Sequence, residues 1–207
     1  MKDWEFAKFV VLVNGAVPLA LLAWDQSQGH LGANPVNFAI HTTGMMALIF
    51  LVLSLAVTPV RLFTGWNWLS HFRRMLGVYA FVYAAIHLSL YFGFDRSLNL
   101  QSLIDDVIKR PFILFGMIAL LVMVPLTITS TNGMIKRLGS ARWKQLHRLT
   151  YVAGVSAVIH YYMFGKITSA IQISFVAVLI VLLGYRVLIQ IPGFDFLRKS
   201  RKPVVAR

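Results

Sequence analysis

MLGVYAFVYAAIHLSLYFGF, the twenty residues from Met75 to Phe94, contains no Asp, Glu, Lys or Arg, and the one side chain in it that titrates near neutral pH is His87. At about 1.5 Å per residue a helix of this length spans roughly 30 Å, the thickness of a bilayer's hydrocarbon core. Lipid offers no partner to backbone N–H and C=O groups, so the run must satisfy them internally as a helix. The stretch therefore reads as a membrane-spanning helix that carries an imidazole inside it. That combination directs attention to the histidines, because an ionisable group at membrane depth marks function by default.

Five further apolar segments flank it: Phe9–Trp24, Phe38–Val60, Pro111–Thr131, Leu149–Gly165 and Ile167–Tyr185, again without Asp, Glu, Lys or Arg. The first and fifth are the shortest, and are expected to extend into their flanks. The expected fold is an all-α integral membrane protein, a six-transmembrane-helix bundle forming one domain over residues 1–207. Composition agrees: with 58% hydrophobic and only 13% charged residues the chain cannot clothe a soluble domain of its size. The net charge of +13 does not signal nucleic-acid binding, because the basic residues sit beside the spans and form no separate basic domain. They read as topology signals and contacts to anionic membrane lipid. With a cytoplasmic N-terminus, 16 of the 20 Lys and Arg residues fall inside and Arg96, Lys109, Arg110 and Lys166 outside, so both termini are expected to be cytoplasmic. Lys2 to Trp24 resembles a signal peptide but lacks a small-x-small cleavage site, and is read as a retained first helix.

The links carry their own signals. Gly29, Gly32 and Asn34-Pro35 predict turns between the first two spans. Leu100, Leu103, Ile104, Val107 and Ile108 recur at helical spacing and predict a short interfacial helix in the outer loop. Ser140 is placed to N-cap a helix running into the fifth span, and Pro125 ends or kinks the fourth where Thr127, Thr129 and Ser130 can satisfy freed carbonyls. There is no cysteine, which excludes disulfides, thiolate metal sites, iron–sulfur clusters and covalent haem attachment. No nucleotide-binding glycine motif occurs.

Of six histidines, two lie well inside the predicted membrane. His87 is twelve residues past Met75, about 18 Å from the inner end, and His160 is eleven past Leu149, at a similar depth. Two neutral imidazoles at one level on two helices suit the two axial positions of a haem iron; the competing reading is interhelical hydrogen bonding. His147 lies thirteen residues before His160, about 20 Å along a helix, and belongs to a second, inner level. The two point apart on an ideal helix, and a bend near Gly154 is one way to realign them. His41 opens the second span on the outer side and is an additional candidate for the haem site. His71, in an inner loop, is a candidate partner for His147. Arg73, Arg74, Arg142 and Arg148 are candidates to pair with propionates or a phosphate, against lipid headgroup contact.

Three stretches together are familiar: Arg73-Arg74-Met75-Leu76-Gly77 with Ala85-Ile86-His87-Leu88, Pro125-Leu126-Thr127-Ile128-Thr129-Ser130-Thr131-Asn132, and Arg142-Trp143-Lys144-Gln145-Leu146-His147-Arg148-Leu149-Thr150-Tyr151 ending in Ile159-His160-Tyr161. They resemble the MsrQ (YedZ) family, whose fold is similar to the membrane domain of ferric reductases and NADPH oxidases. The resemblance implies haem b, one or two, with His87, His147 and His160 as iron ligands, and a bound flavin mononucleotide (FMN) for which no residue is assignable. It implies electrons taken from quinol or a cytoplasmic flavin reductase at the bacterial inner membrane. They would pass to MsrP, a periplasmic molybdopterin enzyme that reduces methionine sulfoxide in proteins. The sequence departs from the wider group in having Arg73 and Arg74, not a histidine, thirteen or fourteen residues before His87. Two rival functions stand beside this: a proton-coupled transporter with a histidine relay, and a passive membrane anchor.

Overall fold

The computed structural model describes residues 3–165 and 169–188, and among these the regular structure is entirely helical. The elements are α1 (Asp3–Ser27), α2 (Pro35–Thr64), α3 (Arg73–Leu90), α4 (Leu100–Lys109), α5 (Pro111–Ile128), α6 (Asn132–Leu138), α7 (Ser140–Leu146), α8 (Thr150–Phe164) and α9 (Ala170–Leu188). Five segments are long and apolar enough to cross a membrane: Glu5–Ser27, Pro35–Thr64, Arg73–Asp95, Pro111–Ile128 and Ala170–Leu188. α8, the fifth expected span, has 15 residues, about 22 Å, and falls short by itself. Its inner flank stays helical but changes pitch, because a 3₁₀ turn at His147–Leu149 separates it from α7.

Local chemistry explains the boundaries. Asn34 accepts a hydrogen bond from the Asn37 amide and Pro35 occupies the first turn, so α2 starts where the turn signals end. Gly29 and Gly32 take positive φ in the preceding loop. Asn99 caps α4 by accepting from the Ser102 amide, and this predicted outer-loop helix exposes Leu100, Ile104 and Ile108. α5 ends three residues past Pro125, where the Thr129 and Ser130 hydroxyls donate to the Pro125 and Leu126 carbonyls. Ser140 is the first residue of α7, not its cap; Gly139, at φ 76°, holds that position without a side-chain bond. Lys166 and Ile167, placed by sequence in the last outer link and at the start of the sixth span, lie outside the described residues.

The packing is inverted relative to a soluble protein. Leu121, Ile180 and Val181 are more than half exposed on the helix exteriors, as lipid-facing positions should be. α2 packs along α3 and α5 along α8. Leu51, Ala80, Met123 and Ala153 join these two pairs at mid-height. Leu48, Val52, Leu55, Val158, Leu179 and Leu182 fasten α9 against α2 and α8. α1 is peripheral, held by the Tyr79 and Tyr83 hydroxyls donating to the Leu12 and Gly15 carbonyls.

Two residues depart from expectation. Arg186, counted with the cytoplasmic flank, is buried inside α9, donating to the Leu55 carbonyl and the Tyr151 hydroxyl. α8 runs unbroken through Gly154, which admits Leu55 of α2: a Cβ there would lie 2.8 Å from its Cδ1. The break from α-helical pitch lies at His147–Leu149, so Gly154 serves close helix approach.

Candidate functional site

Two cavities lie one above the other, sharing Leu51 and Met123 as the layer between them. The larger, about 690 Å³ and named the outer cavity after the side the charge pattern leads one to expect, is enclosed by α2, α3, α5 and α8 and is lined by His41, His87 and His160 among mostly apolar side chains. Its volume falls within the 300–1,000 Å³ range of cofactor sites. The inner one, about 240 Å³, is the more polar of the two and is lined by Arg61, Arg73, Arg74, Trp143 and His147.

His87 and His160 face each other across the outer cavity, with ring centres 6.1 Å apart and ring planes at 79°. Each is held the same way. Nδ1 of His87 lies 2.8 Å from the Ile40 carbonyl and Nδ1 of His160 lies 2.6 Å from the Phe112 carbonyl. A carbonyl only accepts, so Nδ1 carries the proton, and in the neutral ring Nε2 keeps its lone pair. This is the arrangement by which proteins orient a metal-ligating imidazole. Each ring also packs against a glycine one turn beyond its carbonyl: a Cβ on Gly44 would meet His87, and one on Gly116 would meet His160, at 3 Å or less.

Two imidazoles on opposite sides of one metal ion, each bound through a ring nitrogen at roughly 2 Å, have ring centres about 6 Å apart. The observed separation fits that spacing. Among the described residues no three His, Asp or Glu side chains converge to hold a bare ion. The pair therefore suits an ion whose remaining positions are filled by a planar macrocycle, and the apolar walls suit that macrocycle's faces.

At the outer mouth, Asp106 is buried and accepts from the Tyr91 hydroxyl at 2.5 Å, Arg96 Nε at 2.8 Å and Arg110 Nε at 3.1 Å. This cluster pins α4 to the ends of α3 and α5. His41 packs edge-on against Phe164 at 4.8 Å beside it.

In the inner cavity, His147 stacks on Trp143, centres 3.8 Å apart, and its Nδ1 lies 3.1 Å from the Trp143 carbonyl. The indole N–H is anchored in turn on the Thr129 carbonyl at 2.9 Å. Nε2 of His147 is buried and has no hydrogen-bond partner among the described residues. Across from it stand Arg73 and Arg74, not a second imidazole.

The structure thus brings together His41, His87 and His160 in one cavity and His147, Arg73 and Arg74 in the other. It does not bring in His71, which is exposed in a 3₁₀ turn, with Nδ1 2.9 Å from the Trp68 carbonyl, and lines neither cavity. Arg142 and Arg148 are likewise exposed and line neither. Sequence reasoning did not find Gly44, Gly116, Asp106 or Arg61. The two glycines carried only a weak sequence signal, as glycines in the interior of apolar spans.

An all-helical membrane bundle with facing imidazoles matches the family profile "Ferric reductase like transmembrane component" over residues 43–158. Close relatives carry the match further. The "Protein-methionine-sulfoxide reductase heme-binding subunit MsrQ" of Herminiimonas arsenicoxydans is 42% identical over 182 residues, covering 87% of this chain and 84% of that protein. The same subunit of Rhodospirillum rubrum is 40% identical over 204 residues, 98% of this chain and 97% of its own. The "Magnetosome protein MamZ" of Magnetospirillum gryphiswaldense is 39% identical over 190 residues, 89% of this chain but 29% of that longer protein. The chain belongs to the MsrQ family of ferric-reductase-like membrane proteins.

Proposed function

We propose that this protein is a b-type cytochrome that carries electrons from the cytoplasmic to the outer face of the bacterial inner membrane, with His87 and His160 as the axial ligands of a haem in the outer cavity. One observation carries the reading: two imidazoles 6.1 Å apart, each with Nδ1 committed to a backbone carbonyl and Nε2 left to the cavity. The relatives' description as haem-binding subunits of a protein-methionine-sulfoxide reductase supports it. When bound, the haem supplies one-electron redox chemistry. The chain's own part is to present two lone pairs, fix both rings and keep water from the apolar walls.

His147, with its unpartnered buried Nε2, is the inner ligand or shares in an inner site, so that one or two haems are held. Arg73 and Arg74 line that cavity and serve as contacts for a propionate or a phosphate, including that of FMN, to which no further residue is assigned. The donor is quinol or a cytoplasmic flavin reductase. The acceptor is a periplasmic, molybdopterin-containing reductase of the MsrP kind, which itself reduces methionine sulfoxide in proteins. α8, prolonged by its helical inner flank, is the sixth span. The excess of Lys and Arg then places both termini in the cytoplasm.

Reduced-minus-oxidised absorbance of the purified protein tests the reading. Haem bands that are lost in His87→Ala and in His160→Ala are expected. A proton-coupled transporter or a passive anchor shows no such bands, and full haem content in both variants would refute the ligand assignment.

A further inference from the structure

We infer that Gly44 and Gly116 are positioning residues that lock the two facing imidazoles nearly perpendicular, and so set the electronic state of the iron between them; this rests on the function proposed above. In an α-helix the carbonyl of residue i points toward residue i+4, and a side chain at i+4 leans back over it. Ile40 and Gly44 on α2, and Phe112 and Gly116 on α5, have this same spacing. Glycine at i+4 uncovers the carbonyl, and on each helix that uncovered carbonyl accepts the histidine Nδ1–H of the neighbouring helix.

The fit is close on both sides. A Cβ on Gly44 would lie 2.9 Å from both Cε1 and Nδ1 of His87; one on Gly116 would lie 2.8 Å from Nδ1 and 3.0 Å from Cε1 of His160. Each ring is thus fixed at two points, by the hydrogen bond from Nδ1 and by the close approach of its Nδ1–Cε1 edge to the space a glycine leaves open. Glycine weakens a helix interior relative to alanine, yet it recurs at the same offset behind both rings. His147 gives the contrast: its Nδ1 is bonded within its own helical segment, to Trp143, and needs no such opening.

The result is the 79° angle between the planes. Perpendicular axial imidazoles leave the iron's π-bonding d orbitals nearly degenerate, which gives ferric iron a highly anisotropic low-spin EPR signal. Parallel planes split those orbitals and give a rhombic signal. The Nδ1–H···O=C bonds also make the ligands more basic, which favours the ferric state and lowers the midpoint potential.

The test is low-temperature EPR and potentiometry on the full chain, oxidised, in detergent or nanodiscs. The wild type should give a highly anisotropic low-spin signal that disappears in His160→Ala. Gly44→Ala and Gly116→Ala should each convert it toward rhombic or high-spin, raise the midpoint potential and weaken haem affinity about 10- to 100-fold. Gly184→Ala, where an added Cβ meets nothing within 4 Å, should change none of these. If an alanine variant fails to assemble, the wild-type spectrum still decides: a rhombic signal from the His160-dependent centre overturns the inference. So do wild-type spectra and affinity in both alanine variants. A preparation without haem absorbance overturns the functional reading instead.

Discussion

Arg186 and Pro59 should be energetically coupled, although they lie on different helices. Pro59 sits inside α2 and has no N–H, so the carbonyl of Leu55, four residues back, loses its helical partner. No water replaces it at membrane depth. Arg186 of α9 fills the gap: it is 8% exposed, and its Nη2 donates to that carbonyl at 2.7 Å. Nη1 donates to the Tyr151 hydroxyl, and the guanidinium lies 5.0 Å from that ring's centre. A hydrogen bond from a charged donor is worth about 1.5–3 kcal/mol, and an orphaned buried carbonyl costs about 1–3 kcal/mol. Arg186→Met, which keeps the packing volume and removes a buried charge, should therefore destabilise by about 2–4 kcal/mol, part of the loss being offset by the charge removed. In a Pro59→Ala background the backbone amide gained at that position restores the helical bond to the Leu55 carbonyl. The same Arg186→Met change should then cost less by about 1–3 kcal/mol. Reversible unfolding of the wild type, both single variants and the double variant in one detergent gives the coupling. A value below about 0.5 kcal/mol, the ordinary limit of additivity, would refute the idea that Arg186 satisfies the proline-freed carbonyl.

Asp106→Ala leaves Tyr91, Arg96 and Arg110 without their shared acceptor. With Arg110 half exposed, the loss should be about 2–3 kcal/mol, confined to α4, and read as faster amide exchange over Gln101–Lys109; unchanged exchange would show that α4 is held otherwise. His71→Ala should leave the reduced-minus-oxidised spectrum as in the wild type, because His71 is exposed and lines neither cavity. A loss of haem bands in that variant would show that the inner site is assembled differently.

Much of this was written in the sequence, and the reason is chemical. A bilayer forbids unsatisfied backbone, so apolar length alone marked five helices long enough to cross it, while the fifth expected span, α8, is too short by itself. Depth along a helix follows from counting residues at a fixed rise, so His87 and His160 at one level and His147 below them were readable without coordinates. Turn chemistry at Asn34-Pro35 and amphipathic spacing in residues 100–108 marked the links. The sequence could not say which way a side chain turns or which helices touch. Arg142 looked as eligible as Arg73, because a string of residues is blind to rotation about a helix axis. Only the packing of α2 on α3 and α5 on α8 determined that Ile40 and Phe112 lend their carbonyls to the two rings and that Gly44 and Gly116 let them approach. Likewise it turned Arg186 from a flank charge into a buried clamp. These are contacts between residues some fifty to a hundred and thirty positions apart, and no local pattern encodes them. The sequence by itself determined that imidazoles sit within long apolar helices and at matched distances along two of them; the tertiary structure decided that those two meet, because facing one another depends on helix rotation and neighbour choice.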